Sequence, residues 1–351
     1  FAQKAGTEIS DYERWLLMTE PGAGDDLLRM NGAGENLTWA AADFENFLEP
    51  RPDLAPTMEN ELEAIVSRLA EKKWPFRIHA TYDESIDRFL SVFERVAGGA
   101  PLPTRFTIDH AETVTPRNIE RIVALGGGIA VQHRMAFQGE YFVDRYGAAA
   151  AEATPPVAKM LELGAPVGAG TDATRVASFN PWVCLAWLTE GRTVGGLTLT
   201  PPRNRLDRTA ALRLWTEGSA WFSGEEGVKG ALKPGMYADL AVLSEDYLTV
   251  PGDRIAGIAS VLTVMGGRIV HAAAEFARLD PPLPPPSPEW SPTGKFAAPA
   301  ESGPALARTN CGCGPGCAVH GHDHRIAWDN PLPVSDKRGF WGALGCSCFG
   351  F

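Results

Sequence analysis

From residue 58 onward, the apolar positions of this chain switch between two periods. Leu62, Ile65, Val66 and Leu69 stand at i, i+3, i+4 and i+7, which makes one apolar face of a helix. Short apolar runs at 76–78, 106–108, 129–131 and 167–170 are long enough for strands and too short for helices. Between them the pattern predicts helices over Glu84–Val96, from Pro116 to the stop at Gly126–Gly128, and over Pro155–Leu163, with another at Asp207–Glu217. Thr115 as N-cap and Pro116 at the first helical position make a strong start signal. Residues 134–154 read as a long loop. Strands alternating with helices predict a parallel sheet with helical crossovers.

After Glu217 the period changes. Ala238–Leu243, Ser260–Val264 and Arg268–Val270 read as short strands joined by Gly-rich turns, a small β unit. Residues 1–57 read as irregular, with one apolar patch at Leu27–Met30 that suits a further strand. Residues 281–291 are Pro-rich and predict a stiff polyproline-like spacer.

Polar residues sit where the strands end. His79, His110 and Asp172 each follow an apolar run, and they are separated by 31 and 62 residues. One strand-plus-helix unit of a (β/α)₈ barrel takes about 31 residues, and such barrels place their chemistry at the C-terminal ends of the strands. Two imidazoles and a carboxylate are the ligand types of divalent metals in hydrolases, and a carboxylate such as Asp172 suits proton transfer from an attacking water. A lone histidine at a strand end more often just caps the strand; three metal-competent residues at barrel spacing favour a site. His133 ends the third strand, beside the expected pocket, and suits a hydrogen bond to substrate. Arg134 and Arg175, each just past a strand end, suit a substrate carboxylate, with surface ion pairing as the blander reading.

The 351 residues are 44% hydrophobic and 21% charged, ordinary for a soluble globular protein, with a net charge of −11 that argues against nucleic acid and anionic membranes as partners. No apolar stretch is long enough to span a bilayer. No signal peptide is visible after Phe1, and a chain that opens so abruptly is expected to be a piece of a longer one, with any targeting signal upstream. Cys184 stands alone in the body of the chain. The other cysteines crowd the tail, which does not resemble the disulfide framework of a small secreted domain and mildly favours the cytoplasm. In the tail, Cys311, Cys313, Cys317, His320, His322, His324, Cys346 and Cys348 suggest a second metal site, for zinc or another thiophilic ion, although their spacing is not that of a zinc finger.

The segments RIHATYDES, TIDHAETV, GGGIAVQHR, VGAGTDATR and KGALKPGMYADLAVLSEDY, taken in this order, resemble the metal-dependent amidohydrolase superfamily, and within it the amidohydrolase-3, or YtcJ-like, branch. The resemblance covers roughly residues 25–275. It implies a hydrolase that cleaves a carbon–nitrogen bond other than a peptide bond in a small amide-type substrate, using one or two divalent metals, zinc foremost. It implies that His79 and His110 are the strand-5 and strand-6 metal ligands, and that Asp172 is the strand-8 aspartate that contacts the metal and carries the proton. Asp83 matches the aspartate of a His-Ala-x-x-Asp phrase, on the substrate side or behind the ligands; a carboxylate at a helix N-terminus is the alternative. For the strand-4 bridging ligand, Glu35 is a weak candidate, with Asn31 beside it.

The family's first-strand His-x-His pair has no match outside His320-Gly-His322 in the tail, whose Gly, Pro and Asp flanks do not suit a strand. The expectation is therefore the C-terminal part of a TIM-like barrel, inactive alone, with three to four units upstream. An open half-barrel would leave parallel edge strands unpaired. The expected organisation is the barrel portion over 1–225, part of a β-sandwich over 226–278, a Pro-rich linker over 279–304 and the Cys/His tail over 305–351. The alternative is a non-catalytic metal-binding or scaffold protein on a degenerate barrel. Self-association is left open.

Overall fold

The computed structural model describes residues 5–44, 47–173 and 176–282. All but the last of these belong to one compact unit that ends at Pro281. Its first element is a helix, α1 (Glu8–Met18), in a stretch that the sequence pattern leaves irregular. Only Glu8 and Tyr12 are buried on it, while Leu17 and Met18 face solvent, so no apolar stripe marks the helix in the sequence. In α2 (Met58–Glu71), by contrast, Leu62, Ile65, Val66 and Leu69 are all buried, as their spacing predicts.

The alternation then runs β1 (Phe76–Ala80), α3 (Asp83–Ala97), β2 (Phe106–His110), α4 (Pro116–Ala124) and β3 (Gly128–Gln132). Gly98 ends α3 in the left-handed region, with φ +63°. Thr115 precedes α4 with extended backbone, and Pro116 opens the helix. The expected long loop after β3 instead contains α5 (Met135–Tyr146) and a single turn, α6 (Ala148–Ala151). The buried face of α5 is Met135, Ala136, Gln138, Gly139 and Phe142, so small and polar residues mask its helical period. Next come α7 (Val157–Glu162), β4 (Val167–Gly170), α8 (Pro181–Glu190) and α9 (Arg208–Arg213), which a π-helical turn at Leu214–Gly218 joins to α10 (Ser219–Phe222). Finally β5 (Leu240–Leu243), β6 (Ser260–Met265) and β7 (Arg268–Ala272) form a separate antiparallel sheet in chain order.

Strands β1 to β4 pair in parallel, also in chain order. The register aligns Ile78 with Ile108, Ile108 with Ile129, and Ile129 with Val167. Because side chains alternate along a strand, one face of the sheet carries Phe76, Ile78, Phe106, Ile108, Ile129, Val131 and Val167. All of these are buried. At its centre the rings of Phe76, Phe93 and Phe106 pack with centroids 5.1 to 5.8 Å apart. The opposite face carries Arg77, His79, Thr107, Asp109, Ala130, Gln132, Gly168 and Gly170. It is polar or small throughout, and it is the face that presents the candidate site.

Residues 33–35 extend the sheet beyond β1. The Ala33 amide donates to the Pro75 carbonyl, Arg77 to that of Ala33, and His79 to that of Glu35, at 2.8 to 3.1 Å. The patch Leu27–Met30, expected as a strand, is instead a turn. The Asp25 carboxylate accepts the Leu27 and Leu28 amides, and both leucine side chains are exposed.

Candidate metal centre

Two glycines bring residues 33–35 against β1. Gly32 and Gly34 have φ of +148° and +121°, and a Cβ would lie 2.4 Å from the Pro75 carbonyl oxygen at the first and 2.1 Å from that of Arg77 at the second. Only a residue without a side chain allows this approach. It delivers the Glu35 carboxylate to the end of β1, where Oε2 lies 3.8 Å from His79 Nδ1 and 3.4 Å from His110 Nε2.

His79 reaches this point by strand alternation, on the same face as Arg77. His110 does not: its position in β2 belongs to the apolar face. A φ of +77° at His110, followed by +52° at Ala111, breaks the alternation and turns the imidazole towards His79, with ring centroids 4.2 Å apart. Such backbone is uncommon outside glycine, costs about 1–3 kcal/mol per residue, and clusters at functional sites. Asp172, just past β4, shares it with φ +52°.

Glu35, His79 and His110 each offer a ligand atom within 4.8 Å of the other two, the single such group of His, Cys, Asp and Glu among the described residues. The donor set fits a divalent cation. A tetrahedral ion with ligand distances of about 2.0–2.2 Å needs donors roughly 3–4 Å apart, and two nitrogens with one oxygen suit zinc and its neighbours. Both histidines are buried, while Glu35 keeps 39% of its side chain exposed and so leaves an open approach. Burial opposes ionisation of Glu35, yet the hydrogen bonds and charges of His110 and His79 hold its carboxyl well below the usual range. The Phe44 ring stands edge-on to His79, 4.7 Å away.

Asp172 is not in this trio. Its Oδ2 is 2.8 Å from Arg134 Nη2, and it acts with Asp109 and Glu35 to raise the pKa of Arg77. Arg134 is buried, and its Nη1 lies 3.5 Å from the equally buried Glu112. Arg77 itself clamps Asp109 through two bonds of 2.6 and 2.7 Å, and burial pushes the Asp109 carboxyl up to about 6 against that pull.

The other expected residues are not part of the trio. Asp83 Oδ1 accepts the Thr115 amide at 2.7 Å and Asn118 Nδ2 at 2.8 Å, so this carboxylate of α3 ties down the start of α4. His133 is wholly buried, and burial lowers its pKa to about 4. Asn31 Nδ2 donates to the Phe222 carbonyl at 3.4 Å and is not one of the trio. Arg175 and the tail group Cys311, Cys313, Cys317, His320, His322, His324, Cys346 and Cys348 lie outside the described residues. A cleft of about 1010 Å³ opens among α3, α4, α5 and α7, lined by Tyr82, Thr115, Phe142 and Tyr146 among others; none of the trio lines it.

Three contributors escape a reading of the sequence. Gly32 and Gly34 act through backbone proximity, for which a Gly-x-Gly-Glu string is the sole trace. Asp43 is wholly buried beside His79, in a stretch with no periodicity.

Comparison with known proteins bears on the family and the fold. The chain matches the family model described as "Amidohydrolase family", the amidohydrolase-3 model, over residues 2–271. Among solved structures it is similar to an uncharacterized metal-dependent hydrolase from Pyrococcus horikoshii OT3, at 21% identity and a TM-score of 0.55, over 70% of this chain and 50% of that one. It is likewise similar to an uncharacterized metal-dependent hydrolase from Pyrococcus furiosus, at 20% identity and a TM-score of 0.51, over 66% of this chain and 47% of that one. The chain thus spans about half the length of these structures. No curated protein matches it. Since the family model covers well over half of its residues, the chain belongs to the amidohydrolase-3 family.

Proposed function

We propose that this chain is the strand-5 to strand-8 portion of a YtcJ-like (β/α)₈-barrel amidohydrolase that cleaves the carbon–nitrogen bond of a small amide, carbamate or cyclic amide. One observation carries the reading: Glu35, His79 and His110, 75 residues apart along the chain, converge at the polar end of a parallel sheet. The four-stranded sheet and the half-length match to the solved structures support a partial barrel. The remaining ligands, a His-x-His pair, then belong to the other half of the barrel, and this portion alone is inactive.

In this reading Glu35, His79 and His110 hold a divalent cation, zinc foremost. When bound, the ion supplies Lewis-acid polarisation of the substrate carbonyl and acidifies water. Asp172 moves the proton. Arg134 fixes its Oδ2 at 2.8 Å, so the proton of the attacking water is taken at Oδ1 and passed to the leaving nitrogen. Arg134, held in turn by Glu112, sets where that carboxylate stands. Arg77 and Asp109 pair on the sheet face that carries His79, and Asp83 ties the start of α4 to α3.

The test uses the complete gene product. It is expected to contain tightly held metal and to hydrolyse members of an amide panel, and Asp172→Asn is expected to lower kcat by about 10²–10⁴ with the fold unchanged. Full turnover in that variant would remove Asp172 from the mechanism, and a metal-free active enzyme would remove the reading.

A further inference from the structure

Asp43 has no part in the reaction described so far, yet it is placed as though for one. It is wholly buried, and its Oδ1 lies 3.8 Å from His79 Nε2, on the far side of the ring from Glu35. Thr81 Oγ1, at 3.3 Å, is the atom within hydrogen-bond reach of the same nitrogen, and the 3.8 Å to Asp43 is the distance of an ion pair rather than a hydrogen bond. Asp43 is itself immobilised: its oxygens accept the Thr81 amide at 3.0 and 3.1 Å, the Tyr82 amide at 3.2 Å and the Ser85 hydroxyl. His79 is therefore set between two carboxyl groups; burial pushes that of Asp43 up to about 7, while the His79 charge and the Tyr82, Ser85 and Thr81 hydrogen bonds pull it down. Glu35 lies beyond Nδ1 and Asp43 beyond Nε2, at equal distances of 3.8 Å.

The two carboxylates differ in what they can do. Glu35 is partly exposed and lies near a second imidazole, that of His110, whereas Asp43 has no exposure and is not one of the trio. A neutral imidazole donates from one nitrogen and accepts at the other, and the partner of the donor nitrogen decides which is which. Histidines that bind metals typically give their remote N–H to a carboxylate, and losing that partner costs about 10–100-fold in metal affinity.

We propose that Asp43 is the positioning residue of the centre: from behind His79 its charge, together with the Thr81 hydroxyl on the backbone it anchors, holds the ring proton on Nε2, so that the Nδ1 lone pair faces Glu35 and a bound divalent cation. This rests on the reading of His79 as a ligand. The carboxylate would also cap the start of α3 through the Thr81 and Tyr82 amides, so one side chain ties the strand-end loop to the orientation of the ligand.

The test is ¹⁵N NMR of the histidine side chains of the full chain, followed through a titration with zinc, because it reports His79 and His110 individually whatever the tail binds. In the unaltered chain without metal, His79 is expected to carry its proton on Nε2, and zinc is expected to shift Nδ1. Asp43→Asn should mix the His79 tautomers and raise the zinc concentration needed at His79 and His110 by about 10–100-fold, with His133 unchanged; Asp43→Glu, which keeps the charge, should recover part of the loss. A purely structural cap would lower Tm and leave tautomer and zinc response as they were, and that result overturns the proposal. Should Asp43→Asn fail to fold, a proton on Nδ1 of His79 in the unaltered chain overturns it equally. If zinc moves neither His79 nor His110 in the unaltered chain, the metal centre itself fails; if it moves both and Asp43→Asn changes nothing, only the role of Asp43 fails.

Discussion

At Gly34 the site depends on an atom that is not there. A Cβ would sit 2.1 Å from a backbone oxygen, which no rotamer change relieves, so Gly34→Ala must push residues 33–35 off β1 and take Glu35 with them. The expected result is a zinc affinity as poor as that of Glu35→Gln, with the bulk of the sheet intact by circular dichroism; wild-type affinity in Gly34→Ala would contradict the account. His133 gives a prediction in pH. Its folded-state pKa of about 4 lies below the usual 6.5, so between those values the unfolded chain binds a proton that the folded chain refuses, and stability falls as pH falls. The full loss is roughly 3 kcal/mol by pH 4. Asp109, raised to about 6, acts in the opposite sense, so the effect is read as a difference: His133→Gln should lose stability less steeply than the unaltered chain between pH 6.5 and 4 in urea unfolding. Parallel curves would refute it. At this scale the sequence singles out His79 and His110, because residue type and spacing betray them, and offers Glu35 only as a weak candidate; Asp172, read with them as a ligand, stands outside the trio. The sequence hides Asp43 and the two glycines, whose contributions come from backbone approach and burial.

Among the elements, those that bury a clean apolar set were legible. β1 to β4, α2, α3 and α4 stand close to where period and caps put them, since their buried positions repeat at the spacing of their structure. α1 and α5 were not. The first buries two residues, one of them Glu8, and the second puts Gln138 and Gly139 on its buried face. The strand-like segment at 33–35 carries no apolar run at all and is made by its glycines, whereas the apolar run at Leu27–Met30 makes a turn. The packing of α3 on the sheet rests on Phe93 against Phe76 and Phe106, all essentially inaccessible. Phe93→Ala is expected to cost about 3–5 kcal/mol in urea unfolding and to leave zinc binding in place. A cost below about 1 kcal/mol would mean that α3 is held mainly elsewhere.

Across the whole molecule, one face of the parallel sheet is apolar and covered by helices, and the other is polar or small, with Glu35, His79 and His110 gathered at the C-terminal end of the sheet. The chain spans about half the length of the solved structures it resembles. The parallel α/β fold class and the family follow from strand-end motifs between residues 77 and 247, within the 2–271 span of the family match. The substrate does not follow, because the loops that would grip it carry no periodic code. The central claim is that Glu35, His79 and His110 are ligands of one divalent cation. Anomalous diffraction at the zinc edge from crystals of the chain grown with zinc tests it directly. The account predicts an anomalous peak about 2.0–2.2 Å from a carboxylate oxygen of Glu35, Nδ1 of His79 and Nε2 of His110. Zinc in the crystal with no peak among these three side chains would contradict it.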